Sequence, residues 1–278
     1  GGFAELRRMN LIEIEFQCNG HGSAVMLARN GENMVFQDCH FIKPKDHGIS
    51  STGRACQGLQ VDRCQFISNE QNLPATDRVS VAVNVNANDS KIRDTQFQRM
   101  GTSLVMYGSG HIIQGNHLYQ GDEVTDGPRV AGIVFTLENN KTVLTGNYID
   151  NCMVEWNNEH DSEPDFGTEY AFGGMTITDN IFTANDVASW FTWIMIKPFG
   201  TGHYLSGLHV SNNTFRSLNG RIDRVESVST THGTLNGWNT RDVTFQNNAF
   251  VGVDQRTISP VTLEFNQNTE SKTWSLDA

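Results

Sequence analysis

The sequence is short of charged residues, of long apolar runs and of cysteines, and each shortage excludes a class of protein. Charged side chains make up 18% of the 278 residues, below the roughly 25% that is usual for soluble domains. No stretch approaches the roughly 18 consecutive apolar residues that a membrane-spanning helix needs, so we expect no membrane partner. The five cysteines include no CxxC pair and are too few for a disulfide scaffold of this length.

Basic residues are scarce as well. The 20 Lys and Arg residues stand against 31 Asp and Glu residues, which gives a formal net charge of −11. An acidic surface repels a phosphate backbone, so nucleic acid is not an expected partner. The chain is instead rich in Asn, with 27 residues, and in Gly, with 26. Both residues favour turns and bulges, which disfavours a helical bundle.

An eight-residue motif recurs along the whole chain. Its pattern is apolar-x-apolar-x-x-(Asn or Cys)-x-apolar, and its copies begin at residues 9, 34, 59, 90, 111, 142, 175, 208 and 243. They read MNLIEIEF, MVFQDCHF, LQVDRCQF, SKIRDTQF, HIIQGNHL, TVLTGNYI, MTITDNIF, LHVSNNTF and VTFQNNAF. Apolar residues alternate within each copy and change phase at the sixth position, which predicts two short strands separated by a sharp bend.

A third alternating run lies between the motifs, in residues 24–28, 79–86, 102–107, 131–138, 153–157, 192–197 and 261–266. Three strands per repeat form a triangular coil, and coils stacked at the roughly 4.8 Å strand spacing bury a continuous core. The sequence therefore predicts an all-β, single-stranded parallel β-helix of about nine coils, in one domain that covers residues 1–278.

The sixth motif position predicts a ladder of side chains down one corner of this coil. Asn suits the bend because it tolerates a left-handed backbone and because its amide can bond to the next coil. Two cysteines are expected in the same Asn/Cys column. The ladder residues are Ile14, Cys39, Cys64, Thr95, Asn116, Asn147, Asn180, Asn213 and Asn248.

These motifs resemble the right-handed parallel β-helices of the pectate-lyase-like superfamily, which includes polysaccharide lyases, glycoside hydrolases and phage tailspikes. The resemblance covers residues 9–268 and implies three sheets, an internal Asn ladder and loop insertions at two of the three turns. A leucine-rich repeat has the same core spacing, but here the run between motifs alternates as a strand, and Phe, Val and Ile replace Leu. The sequence lacks the Asp-Asp and Gly-His-Gly arrangements of polygalacturonases and the RxPxxR run of pectate lyases, so the resemblance transfers no catalytic residue.

The two ends of the repeat array bear on domain organisation. The first motif begins at Met9, and an end coil needs a polar cap over its core and its strand edges. We therefore expect more chain, or a partner, upstream of it. Residues 270–278 are polar, and we expect them to form a frayed tail.

Function is expected on outward positions of the third sheet and on the loops beside it, because the inward residues of a stacked coil are structural. Insertions at residues 121–130, 158–174, 199–207 and 231–242 are long for such a coil and are therefore functional candidates. Aromatic faces pack on sugar rings and amides bond to sugar hydroxyls, so this surface predicts a polysaccharide partner. The candidate substrate-binding residues are Tyr107, Asn157, Trp193, His203, Tyr204, His232 and Trp238. Trp190 and Trp193 fit core positions equally well.

One chemistry that this face suggests is glycoside hydrolysis. Glu138 and Glu155 are assigned to adjacent coils, which predicts carboxyl groups on the order of 5 Å apart, as in a retaining glycosidase. A wider pair that includes Asp161 suits an inverting enzyme. The structural alternative, in which Glu138 and Glu155 are solvated strand residues, stays open.

The other chemistry is β-elimination by a lyase. In that reading Ca²⁺ neutralises a uronate, and Lys197 or a loop histidine removes the proton at C5. The loop histidines are His160, His203 and His232. Asp161, Glu163 and Asp165 are the candidate metal ligands, since their alternation resembles the start of a calcium loop, although a proline interrupts it.

Together these patterns predict a carbohydrate-active β-helix that cleaves an extracellular polysaccharide, with the lyase reaction favoured over hydrolysis. Calcium-compatible acids and candidate bases occur together, which is the reason for this preference. The alternative is a non-catalytic glycan-binding spike of the phage tail fibre or surface adhesin type. Either protein is expected outside the cell or on a cell or virion surface, as a monomer or a homotrimer, with Ca²⁺ as the implied cofactor.

Overall fold

The computed structural model describes residues 6–27, 31–51, 53, 55–70, 73, 77–120, 131–137, 140–157, 170–185, 187, 189–199, 202–259 and 270. These residues form 28 short β-strands. None of their segments is a helix of the length and apolarity needed to cross a bilayer. All five cysteines lie within this part of the chain and carry free thiols.

Three sheets contain almost all of the strands. Sheet 1 consists of β2 (Asn10–Ile12), β6 (Val35–Gln37), β9 (Gln60–Asp62), β12 (Lys91–Arg93), β15 (Ile112–Gln114), β18 (Val143–Thr145), β21 (Tyr170–Thr178), β24 (His203–Ser211) and β27 (Arg241–Gln246). Sheet 2 consists of β3 (Glu15–Gln17), β7 (His40–Ile42), β10 (Gln65–Ile67), β13 (Gln96–Gln98), β16 (His117–Tyr119), β19 (Tyr148–Asp150), β22 (Ile181–Ala184), β25 (Thr214–Ser217) and β28 (Ala249–Val251). Sheet 3 consists of β4 (Val25–Leu27), β8 (His47–Ser51), β11 (Val81–Asn86), β14 (Thr102–Tyr107), β17 (Ala131–Phe135), β20 (Met153–Asn157), β23 (Ile194–Lys197) and β26 (Glu226–Val228).

Each strand pairs with its counterparts in the coils before and after it, and all of these pairings are parallel. A separate two-stranded sheet joins β1 (Leu6–Arg7) to β5 (Gly31–Glu32), also in parallel. The chain therefore winds as a right-handed parallel β-helix with three sheets. This architecture confirms the predicted fold.

The alternating sequence pattern did not predict two strands of sheet 3. β8 has the sequence HGISS and β26 has the sequence ESV, and neither shows alternating apolar residues. In β8 the reason is packing, because a Cβ atom at Gly48 would lie 2.6 Å from both the Ala82 carbonyl oxygen and the Phe66 ring. The predicted strand at 261–266 lies outside the described residues.

The last motif position builds a column of rings inside the core. Phe41 stacks on Phe66 with ring centroids 4.4 Å apart, and Phe66 stacks on Phe97 at 5.2 Å. Phe182 and Phe215 repeat the arrangement at 4.7 Å. In-register parallel pairing places equivalent residues directly above one another, so a repeated Phe in the sequence becomes a stack of rings, which Leu118 and Ile149 divide in two.

The predicted ladder is present. The Asn147 amide N–H donates to the Asn180 Oδ1 at 2.9 Å, and the Asn180 N–H donates to the Asn213 Oδ1 at 3.0 Å. The same link joins Asn116 to Asn147 at 3.0 Å. Cys64 is buried in this column, and burial raises the pKa of its thiol to about 12. At the corners from Cys64 to Asn213, a side chain of the next coil thus accepts the backbone N–H of the ladder residue.

One reason given for Asn at this corner is wrong. The ladder residues do not have positive φ; the residue before each of them does, with φ of 57° at Asp179 and 56° at Asn212. The residues in this left-handed column are Glu13, Asp38, Arg63, Asp94, Gly115, Gly146, Asp179, Asn212 and Asn247. The fifth motif position therefore makes the bend, and the sixth supplies the hydrogen bonds.

Candidate functional site

Strand register defines the outer face of sheet 3. Val154 and Trp156 of β20 are fully buried in the core, as is Ile194 of β23, so the residues that alternate with them point outward. Glu155 pairs with Met195, and Asn157 pairs with Lys197. The outer face of these two strands therefore presents a carboxylate, an amide, a thioether and an ammonium group.

The carboxylate and the ammonium group form an ion pair. The Lys197 Nζ lies 2.9 Å from the Glu155 Oε2. The Asn157 Nδ2 donates to the other carboxylate oxygen, Glu155 Oε1, at 2.8 Å. Both oxygens of Glu155 are thus bonded within the protein.

This ion pair is shielded from water although it lies on the outer face. Glu155 is 5% exposed and Asn157 is also buried, whereas the Lys197 side chain is 33% exposed. A charge pair with few water neighbours interacts more strongly than one in bulk solvent. Lys197 is the end of the pair that an approaching ligand meets first.

The register identifies the neighbour of Glu155 in the preceding coil. Val134 of β17 lies beside Glu155. Glu138 itself is outside the described residues, as are His160, Asp161, Glu163 and Asp165, so their roles stay predictions. In the part of the chain that the structure describes, no three His, Cys, Asp or Glu side chains group as metal ligands would.

The predicted outward position of Trp193 is wrong. Its side chain is fully buried, and its indole N–H donates to the Thr183 carbonyl at 3.2 Å. The ring packs edge-on against Phe191 at 5.6 Å. The prediction extended the alternation of the strand back to Trp193, but β23 begins only at Ile194.

His203 is also buried, contrary to its predicted place in a loop. It is the first residue of β24, and its Nδ1 accepts the Phe199 N–H at 2.8 Å. Phe172 meets its ring edge-on at 5.4 Å. The insertion predicted at 199–207 is largely strand, which explains why this histidine faces protein and not solvent.

Four of the other predicted binding residues lie at accessible positions, whereas Asn157 is buried. Trp238 is 100% exposed in a loop between β26 and β27. His232 is exposed and stacks on Phe199 at 4.5 Å. Tyr204 is half-buried, with the Arg241 guanidinium 5.4 Å from its ring centroid. Tyr107 is the half-buried last residue of β14. Sugar contact by these four residues stays a prediction.

Sequence reasoning missed a cavity beside the start of β23 and β26. It has a volume of about 480 Å³, and its lining includes Trp190, Arg224 and Glu226. Trp190 is 53% exposed, so of the two neighbouring tryptophans it is this one that faces solvent. No motif marked the site, because its lining comes from two turns of different coils that the sequence separates by more than thirty residues.

The chain was compared with family models, curated proteins and solved structures. No protein-family model matches the sequence, and no curated protein does. Solved structures of variants of the tailspike protein of E. coli bacteriophage HK620 are similar to the chain. One, in complex with a pentasaccharide, has a TM-score of 0.49 and 12% identity over 90% of this chain and 48% of the tailspike chain.

Two further HK620 tailspike variants, each also in complex with a pentasaccharide, give lower scores. Their TM-scores are 0.44 and 0.41 at 15% and 10% identity, over 89% of this chain and 47% and 54% of theirs. The chain spans about half the length of these tailspike chains. At this level of similarity no residue's role passes from the tailspikes to this chain.

Proposed function

We propose that the protein binds an extracellular polysaccharide along the outer face of sheet 3 and cleaves it beside Glu155 and Lys197. The Glu155–Lys197 ion pair, bonded to Asn157 at outward positions of two adjacent strands, carries the proposal. Tyr107 extends the same face with an aromatic ring. A surface of amides, charges and one ring suits a hydroxyl-rich polymer better than an apolar ligand.

β-Elimination fits this pair better than hydrolysis. Hydrolysis uses two carboxyl groups on either side of the scissile bond, whereas β20 and β23 place one carboxylate against one cation. An elimination needs a base for the C5 proton of a uronate and an acid for the departing oxygen. A lysine in contact with a glutamate provides both groups.

The elimination balances within the pair. The Glu155 carboxylate takes the C5 proton, the C5 electrons form the C4–C5 double bond, and the C4–O4 bond breaks. The Lys197 ammonium gives a proton to the departing O4. The proton on Glu155 then passes to the Lys197 amine, which restores the ion pair. The proposed calcium ligands Asp161, Glu163 and Asp165 have no part in these steps.

The test is a Glu155→Gln variant assayed on polygalacturonate, alginate, hyaluronate and dextran, with and without Ca²⁺. We expect wild-type protein to release ultraviolet-absorbing unsaturated ends from a uronate polymer, and the variant to lose about 100-fold or more in kcat. Polymer binding should survive. Glu15→Gln, at an exposed glutamate of sheet 2, is the matched control. Cleavage by Glu155→Gln at the wild-type rate would contradict the assignment.

A non-catalytic glycan-binding spike is the second candidate, and one observation favours it. Both Glu155 oxygens are already bonded within the protein and the group is almost fully buried, which is also the arrangement of a purely structural ion pair. Such a spike would be retained on a polysaccharide without creating new reducing or unsaturated ends. In either case we propose an extracellular or virion-surface location, as a monomer or homotrimer, and light scattering of the purified protein distinguishes these two states.

A further inference from the structure

The cavity at the start of β23 and β26 is separate from the ion pair. Its walls are the turn that leads into β23, with Trp190 and Thr192, and the turn that leads into β26, with Asp223 and Arg224. Its volume of about 480 Å³ falls in the range of small-molecule sites. None of the candidate residues of the outer face lines it.

An aromatic ring forms one wall of the cavity. The chain buries Phe191 and Trp193, which follow Trp190, but leaves Trp190 half-exposed. Burial of Phe191 and Trp193 stabilises the fold, and the half-exposed Trp190 side chain contributes less of this free energy. An exposed tryptophan at the mouth of a cavity is the usual platform for the C–H face of a sugar ring.

The cavity contains more carboxylate groups, which accept hydrogen bonds, than cationic groups. Glu226 and Asp223 provide two carboxylates, and Arg224 provides the one guanidinium among the described lining residues. Arg224 Nη1 lies 3.7 Å from Glu226 Oε1, and its Nε lies 4.0 Å from Asp223 Oδ2. The guanidinium is therefore already balanced by protein carboxylates, and one net negative charge remains in the cavity.

Glu226 is held in place by the next coil. Glu226 pairs with Ile194, whose side chain points into the core. The position that holds Glu226 in this coil is therefore held by an apolar residue in the preceding coil. The Thr257 hydroxyl donates to its carboxylate, at 2.6 Å from Oε1 and 2.7 Å from Oε2. Burial raises the pKa of Glu226, and the hydrogen bond from Thr257 and the nearby Arg224 oppose the rise.

We infer that this cavity binds one neutral pyranose unit of a glycan. The sugar stacks on Trp190, and its hydroxyls donate to the carboxylates of Glu226 and Asp223, whose oxygens have lone pairs beyond those used within the protein. The net negative charge rejects a uronate at this position, because its carboxylate would meet two others. The cavity takes this unit whether or not the protein cleaves the polymer.

The position of the cavity relates it to the outer face of sheet 3. Ser227 lines the cavity and pairs with Met195, which pairs with Glu155. Two strand spacings, about 10 Å, therefore separate Ser227 from Glu155 along the β-helix, and β23, which carries Lys197, lies between them. A polysaccharide lying on this face would place a neutral unit in the cavity and another unit beside Lys197.

The experiment measures sugar binding to the whole chain by saturation-transfer NMR. The ligands are methyl glycosides of glucose, galactose and mannose and the matching uronic acids. We expect at least one neutral glycoside to bind, and to bind more tightly than its acidic counterpart. Trp190→Ala should weaken this binding by about tenfold, while Trp190→Phe keeps a ring and most of the affinity. Tyr148→Ala removes an exposed ring from sheet 2 and should change nothing.

Three results would overturn the inference. These are the absence of binding by every neutral glycoside, unchanged affinity in Trp190→Ala with an unchanged melting temperature, and equal or tighter binding of the uronic acid. The result is independent of the cleavage test. If Glu155→Gln still cleaves polymer while Trp190→Ala loses sugar binding, the proposed reaction fails and the cavity assignment stands.

Discussion

At each ladder corner one residue takes the left-handed backbone conformation, and the residue after it makes the hydrogen bonds. The left-handed column has Asp, Asn, Arg, Glu and Gly at its nine positions, so the backbone requirement tolerates many side chains. A non-glycine residue pays roughly 1–2 kcal/mol for this conformation. The column holds charged and polar side chains because it faces solvent.

Gly146 tests the cost of this conformation alone. Its φ is +65°, and a Cβ there would meet only the Gly115 nitrogen, at 3.9 Å. We expect Gly146→Ala to lower the free energy of unfolding by about 1 kcal/mol, measured by urea denaturation, because the backbone and not a clash opposes the methyl group.

Gly237 provides the control for this variant. It has no positive φ, and nothing lies within 4 Å of a Cβ built on it. Gly237→Ala should leave stability unchanged within a few tenths of a kcal/mol or raise it slightly. Equal effects of the two substitutions on the free energy of unfolding would mean that the left-handed conformation at the corner does not disfavour alanine.

Among the elements, the corner between sheets 1 and 2 is the best predicted from sequence. Its eight-residue motif combines period-two alternation with a phase change, and that combination repeats nine times. The strands of sheet 3 carry less signal, because β8 and β26 have glycine or polar residues where the pattern expects apolar ones.

The site was harder to predict than the fold for a related reason. Trp193 is the residue before β23 and His203 is the first residue of β24, and at such positions a shift of one residue reverses inside and outside. Glu155 lies in the middle of β20, and Asn157 and Lys197 are the last residues of β20 and β23, so the alternation within these strands predicted their outward direction. The Trp190 cavity depends on how two turns pack, which no local pattern specifies.

The ladder makes each corner depend on the next coil. Asn180 accepts the Asn147 N–H and donates through its Nδ2 to the Leu144 carbonyl at 2.9 Å. Asn180→Ala leaves a buried N–H without a partner, so we expect a loss of roughly 3 kcal/mol in unfolding free energy. Asn180→Thr should recover part of it, since Thr95 accepts the Cys64 N–H at 3.2 Å in the same column. Equal losses in the two variants, by thermal or urea unfolding, would count against the ladder as a source of stability.

At the scale of the whole molecule, pH sensitivity comes from buried histidines, and among the histidines that the structure describes, burial lowers the pKa of His47, His111 and His117. The pKa of His111 falls to about 4, chiefly through burial, and its Nδ1 accepts the Ser90 N–H at 3.2 Å. The folded state thus keeps His111 neutral, while the unfolded chain binds a proton below pH 6.5 or so. Stability should fall as the pH drops from about 6.5 to about 4, by at most roughly 3 kcal/mol from this residue.

The measurement is urea denaturation at a series of pH values. His111→Asn keeps an acceptor for the Ser90 N–H but cannot take up a proton, so its stability should change less steeply between pH 6.5 and 4. His21→Asn, at an exposed position, should follow the wild-type curve. A His111→Asn curve parallel to the wild type would show that this histidine does not contribute to acid sensitivity.

In-register pairing also governs how far apart surface groups stand. One coil advances the chain by one strand spacing of about 4.8 Å, so groups on different coils of one sheet stand apart by whole multiples of that distance. β23 contributes Lys197 to the ion pair, and the turn that leads into β23 contributes Trp190 to the cavity, so the two places share a coil. An extra coil inserted on either side of this shared coil would separate Lys197 from Glu155 or Trp190 from Glu226, and the spacing between the ion pair and the cavity is therefore fixed by the order of the coils.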